Sequence, residues 1–83
     1  MRAVEVAQAD FARRLSDEKP SAWKYASHVA DIRNYSIGIS ESPDAVVVVF
    51  LLNQPKGEKI RGRGGEYKVD KGSLRVVAFR GYQ

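Results

Sequence analysis

Apolar residues recur at steps of three and four along the start of the chain. Val4, Ala7, Phe11 and Leu15, with Ala12 beside them, fall on one stripe, which predicts an amphipathic helix over residues 3 to 15. Glu5, Asp10, Arg13 and Arg14 lie mostly off that stripe, and the two late arginines suit the negative end of a helix dipole. "SDEKP" then breaks the pattern, because Pro20 pushes the residue before it out of helical backbone. A second helical piece is predicted from Pro20 or Ser21 to about Asp31. It puts Trp23, Ala26 and Ala30 on one line and Tyr25, Val29 and Ile32 on another. One kinked helix and two separate helices fit this spacing equally well.

From Tyr35 onward the period changes from helix to strand. "YSIGIS" alternates Tyr35, Ile37 and Ile39 with Ser36, Gly38 and Ser40, giving one apolar face and one face of small residues. "ESPD" reads as a tight turn with Pro43 at its second position and Asp44 capping it. "AVVVVFLL", residues 45 to 52, is apolar on both faces. So short a turn before it demands antiparallel pairing, which leaves two faces to cover: one by the helix, the other by a curled sheet or a partner subunit. "NQPKGEK" is a loop, and "EYKVD" alternates again with Tyr67 and Val69 inward. "DKGS" is a hairpin turn in which Gly72 is free to take positive φ. "LRVVAFRGY" closes the set. Strict alternation there places Val77 and Phe79 opposite Leu74, Val76 and Ala78, an apolar pair on the outer face. Phe11, Trp23, Tyr35, Phe50 and Tyr67 are expected in the core. The fold class is α+β, an N-terminal helical unit packed on a curved antiparallel sheet of three to four strands.

Length limits the chain to a single domain, residues 1–83, with room for one core. The longest apolar run, eight residues, is far short of the ~20 that a membrane-spanning helix needs. The N-terminus lacks the continuous apolar stretch of a signal peptide. The expectation is a soluble chain without membrane insertion, cytoplasmic, or periplasmic had a signal peptide been removed. The net charge of +4 is uneven: six basic and six acidic side chains balance in residues 1–42, and eight basic face four acidic in residues 43–83. Lys56, Lys59, Arg61 and Arg63 are answered locally only by Glu58, a patch suited to an acidic protein, a phosphate or nucleic acid.

Within that patch, "KIRGRGGEY" raises the chemical question. A phosphate loop or a dinucleotide fingerprint needs a helix directly after its glycines, and here Glu66 and Tyr67 open a strand. A lone "RGRGG" is not the repeated tract of an RNA-binding arginine–glycine segment. Gly62, Gly64 and Gly65 read instead as a bulge or a close backbone approach where a strand begins. The absence of cysteine removes disulfides, thiolate metal sites and a cysteine nucleophile. A single histidine, His28, offers too few ligands for zinc, and no nucleophile-elbow pattern surrounds any serine. No catalytic residue, metal or cofactor is expected.

"YSIGISESPDAVVVVFLL", "QPKG", "RGGEYKVDKGSLRVV" and the terminal "GYQ" together resemble small bacterial domains described as cystatin-like or nuclear-transport-factor-2-like, some labelled immunity proteins. The matching positions are Val49, Phe50, Gly64, Gly65, Tyr67, Val69, Asp70, Gly72 and Gln83, within about 50 residues. The resemblance implies a helix cradled by a curved sheet and a non-enzymatic role, binding and neutralising a protein. The protease-blocking "QxVxG" loop of true cystatins is absent. The expected function is a protein-binding module of immunity or inhibitor type. Its expected contacts are Lys56, Lys59, Arg61, Arg63, Tyr67, Val77 and Phe79, with an acidic protein partner and a homodimer in view. The alternative is nucleic-acid binding through the basic loop 56–65.

Overall fold

The computed structural model describes residues 2–17, 23–57, 59–60 and 63–82. Helix α1 (Arg2–Ser16) is followed by a single helical turn α2 (Ala26–Val29), a 3-10 turn (Ile32–Asn34) and four strands. These are β1 (Tyr35–Glu41), β2 (Ala45–Leu52), β3 (Gly64–Asp70) and β4 (Val76–Gly81). They form an antiparallel meander in the order β1-β2-β3-β4, an α+β fold with four strands.

Helix α1 forms as its periodicity predicts, with Ala3, Ala7, Phe11 and Leu15 buried at four-residue steps and Val4 packed beside them. Glu5 in the first turn and Arg13 and Arg14 in the last complement the dipole. The two helical stretches are separate, and the second is much shorter than its expected span to Asp31; the start of that span, 20–22, lies outside the described residues. Tyr35 donates a hydrogen bond of 2.7 Å from its hydroxyl to the Val29 carbonyl, tying α2 to the head of β1. Trp23, expected in the core, is 41% exposed. Its helical line toward Ala26 and Ala30 does not exist where the helix has not begun, so its ring lies outside, edge-on to Tyr25 at 5.6 Å.

One face of the sheet packs on α1. Val46, Val48, Phe50 and Leu52 of β2 share that face with Tyr35 of β1 and with Gly65, Tyr67 and Val69 of β3. Phe11 stacks on Phe50 with centroids 4.4 Å apart and meets Tyr35 edge-on at 4.9 Å. Offset and edge-to-face rings gain from their quadrupoles beyond the area they bury. Helix α1 lies over β2 and β3, so of β1 only Tyr35 is covered. Ile37 and Ile39 are in register with Phe50 and Val48 on the helix side, yet stay 40% and 52% exposed.

The opposite face carries Val47, Val49 and Leu51, and among the described residues no element packs on it. Of the covers expected for the two faces of β2, the helix is in place on one, and among the described residues no curled part of the sheet lies over the other. The turns also differ in detail. In the turn before β2 it is the Ser42 hydroxyl, and not Asp44, that accepts from the Ala45 amide. In the β3–β4 turn Leu74, and not Gly72, takes the left-handed conformation (φ 58°). The Leu74 amide closes that turn by donating to the Asp70 carbonyl, while the Asp70 carboxylate accepts from the Ser73 amide and hydroxyl.

Candidate partner-binding surface

Strand β4 decides which side chains can meet a partner. Lys68 pairs with Ala78 but Val69 pairs with Val76, so Val77 is an extra residue, a β-bulge. The bulge lets Val76 and Phe79 both face the helix although three positions separate them. This corrects the strict alternation of the sequence. Phe79 does not join Val77 on the outer face; it packs against Tyr67 at 4.7 Å, beneath the Arg14 guanidinium at 4.0 Å. Val77 remains 57% exposed.

Tyr67 is likewise removed from the surface, with no exposed area at all. Its hydroxyl donates to Asp10 Oδ2 at 2.8 Å, and Asp10 also accepts from Arg13 at 2.6 Å and Arg14 at 2.7 Å. Burial raises the Asp10 carboxyl, but the hydrogen bonds from Arg14, Arg13 and Tyr67 outweigh it and hold the group down at about 2. Burial, and then the bond to anionic Asp10, pushes the Tyr67 phenol well above its ordinary range. No buried side-chain polar atom among the described residues lacks a partner. Asp10 and Tyr67 therefore form a fastener between α1 and β3, fifty-seven positions apart in sequence. Only the i, i+3 and i, i+4 spacing of Asp10 with Arg13 and Arg14 was visible in the sequence.

The glycine-rich stretch answers to geometry. Gly64 takes φ +102°, and a Cβ there would overlap the Phe50 carbonyl oxygen. A Cβ on Gly65 would come within 2.8 Å of the Arg80 carbonyl oxygen and of the Phe79 ring. Both positions favour glycine, Gly64 for its positive φ against the β2 backbone and Gly65 for its close approach to the β4 backbone and the Phe79 ring. Gly62 and Arg61 lie outside the described residues.

Upstream, the loop after β2 is pinned at its middle: Gln54 Oε1 accepts from the Ile60 amide, and Ile60 packs against the core. Lys56 and Lys59 are exposed on it. Arg63 is half-buried with its guanidinium 5.7 Å above the Trp23 ring, a cation–π contact joining the loop to the segment before α2. The sequence pattern assigned Trp23 to the core and missed this pairing; the aromatic–cation–aromatic run Trp23-Lys24-Tyr25 was its available signal. A cleft of about 260 Å³ opens between the end of α1 and the ends of β3 and β4, with Arg14, Arg63, Phe79 and Tyr82 in its walls.

Of the expected contact residues, then, Lys56, Lys59 and Val77 are exposed and Arg63 partly so, while Tyr67 and Phe79 belong to the packed side. On the open sheet face Val47 and Val49 lead to Leu51, 53% exposed, at the end of β2 from which the basic loop departs. Ala78 is exposed beside Val47 across β3, and the cross-strand pair Glu66–Arg80 at 3.0 Å borders them. His28 donates from Nε2 to the Asn53 carbonyl at 2.7 Å, fixing α2 to the end of β2. Among the described residues no three histidine or acidic side chains stand close enough to hold a metal ion, and no helix is long and apolar enough to cross a membrane. No protein-family model matches this chain, and no curated protein or solved structure does.

Proposed function

We propose that the chain is a non-enzymatic protein-binding module of immunity or inhibitor type, which docks an acidic protein on the sheet face opposite α1 and on the basic loop beside it. The observation that carries this reading is the uncovered stripe Val47, Val49 and Leu51 in the middle of the sheet, with Val77 exposed on β4. Contiguous apolar area on a small domain marks an interaction surface. An apolar centre with a polar rim is the usual anatomy of a protein interface. Lys56 and Lys59 set the sign of the partner, since cations at a rim steer an anionic surface into place. The resemblance to immunity-type domains supports the same reading.

Affinity capture from the source cell tests it, comparing the wild type with Leu51→Glu and with a Lys56→Glu, Lys59→Glu double variant. One acidic protein is expected on the wild type and on neither variant. Retention that is equal on all three, or nil on the wild type, removes the reading.

Nucleic-acid binding is the second reading, and one observation favours it. Trp23 presents an exposed indole beneath Arg63, a stacking surface with its own cation. A titration with single-stranded RNA at two salt concentrations separates the two, because phosphate contacts weaken steeply as salt rises. Absence of binding at low salt ends this second reading.

A further inference from the structure

Strand β1 has a sequence that reads the same in both directions about Gly38: Ser36-Ile37-Gly38-Ile39-Ser40. It is also an outer strand of the sheet, exposed at every position from Ser36 to Glu41. We propose that two copies of this chain pair edge to edge through β1, antiparallel about a two-fold axis at Gly38, joining their sheets into one.

The backbone parity fits. Asn53 donates its amide to the Asn34 carbonyl at 2.7 Å, and Ser42 donates to the Ala45 carbonyl at 2.9 Å. Each bond joins directly opposed residues, so even-numbered positions of this segment bond to β2 and the intervening odd ones turn their N–H and C=O outward. Ile37 and Ile39 are odd. About a two-fold at Gly38, Ile37 of one copy opposes Ile39 of the other, and the two exchange both backbone bonds. Gly38 meets its own copy at the wide, non-bonded position between them. Opposed residues share a face, so the four isoleucines gather on the helix side and the small residues Ser36, Gly38 and Ser40 on the other. The isoleucines are the groups that α1 leaves exposed.

The two edges of the sheet differ in a way that closes the assembly at two. Strand β4 carries the Val77 bulge and the charged Arg80, and Arg75 precedes it. These are the devices by which natural edges avoid pairing. Strand β1 has no bulge, no proline and no charge before Glu41. Pairing through β1 consumes the unprotected edge in both copies and leaves the protected ones outermost, an isologous interface that cannot propagate. It leaves the surface proposed for a partner untouched, so either can fail without the other.

Sedimentation across the micromolar range, joined to cysteine cross-linking in a chain that has no native cysteine, tests the arrangement. The wild type is expected as a concentration-dependent dimer, and Ile39→Lys as a monomer with unchanged circular dichroism at the same concentrations. A Gly38→Cys side chain has room, its nearest neighbour across the strand being Val49 Cβ at 3.9 Å. Paired about the axis its two Cα atoms stand about 4.5 Å apart, within disulfide reach, and mild oxidation is expected to give a covalent dimer. Ser36→Cys copies would lie about 14 Å apart at ~3.4 Å per residue. They are expected to stay unlinked alone and to link when mixed with Ser40→Cys. A wild type that remains monomeric, a dimer that survives Ile39→Lys, or Ser36→Cys linking to itself as readily as Gly38→Cys each overturns the proposal. Should Ile39→Lys unfold, the cross-linking pattern decides alone.

Discussion

Asp10 shows how one side chain can join secondary structure to tertiary structure. It closes two ion pairs along α1, which on an exposed helix would contribute about 0.3–0.5 kcal/mol each. The third bond, from the buried hydroxyl of Tyr67, is of a different kind, because it crosses from helix to sheet. Replacing Tyr67 by Phe removes that donor while keeping the ring among Phe11, Phe50 and Phe79. The expected loss is roughly 1.5–3 kcal/mol, the range for a hydrogen bond to a charged group, measured as a shift in the denaturant midpoint. The same network sets an acid limb. A carboxyl held at about 2 when folded and 3.8 when free contributes stability that is fully present above 3.8 and is lost as pH falls toward 2. In Tyr67→Phe the carboxyl loses one of the bonds that depress it, so the acid unfolding limb is expected to flatten over that window.

At the level of elements, the bulge at Val77 is the least visible and most consequential feature. Deleting Val77 would remove the extra residue and leave Val76, Ala78 and Phe79 in plain alternation with Val76 and Phe79 still on the helix side, whereas Phe79→Ala would empty the space beneath Arg14. Loss of a packed Phe costs about 3–5 kcal/mol, so Phe79→Ala is expected to lose its cooperative thermal transition in circular dichroism, and the Val77 deletion to keep it. Substituting Val77→Thr, which keeps the count of residues, is expected to leave that transition within a few degrees of the wild type, equivalent to about ±0.5 kcal/mol. The contrast shows how far a sequence reading can reach. Helix α1 and strands β1 and β3 were legible because each repeats one period over several side chains, and β2 because its apolar run is unbroken and follows a short turn. Phe79 was misplaced because one inserted residue flips everything after it by a face, and no residue type announces the insertion. Trp23 was misplaced for a related reason: a helical line was extended through a stretch that has not yet become helical. The glycines at 64 and 65 were read correctly as geometry, yet the carbonyls they clear, Phe50 and Arg80, come from strands remote in sequence. The bond from Tyr67 to Asp10 escaped for that same reason of distance along the chain.

At the scale of the whole molecule the helix roofs half a sheet. One core cluster lies under α1, built around Phe11, Phe50, Tyr67 and their aliphatic neighbours. At about 0.05–0.15 kcal/mol per residue, a chain of this length has a total stability of only ~4–12 kcal/mol. The Val47–Leu51 face and the Ile37–Ile39 edge lie outside that core cluster. The outer position of Trp23 has an optical consequence. The only indole in the chain stands apart from the stacked rings of the interior, so its emission follows the Arg63 contact and is open to a dissolved quencher in the native state. The melting of the interior is carried instead by the near-ultraviolet dichroism of the phenylalanine and tyrosine rings. Two spectroscopic bands of one sample therefore report separately on the outside of the molecule and on its centre.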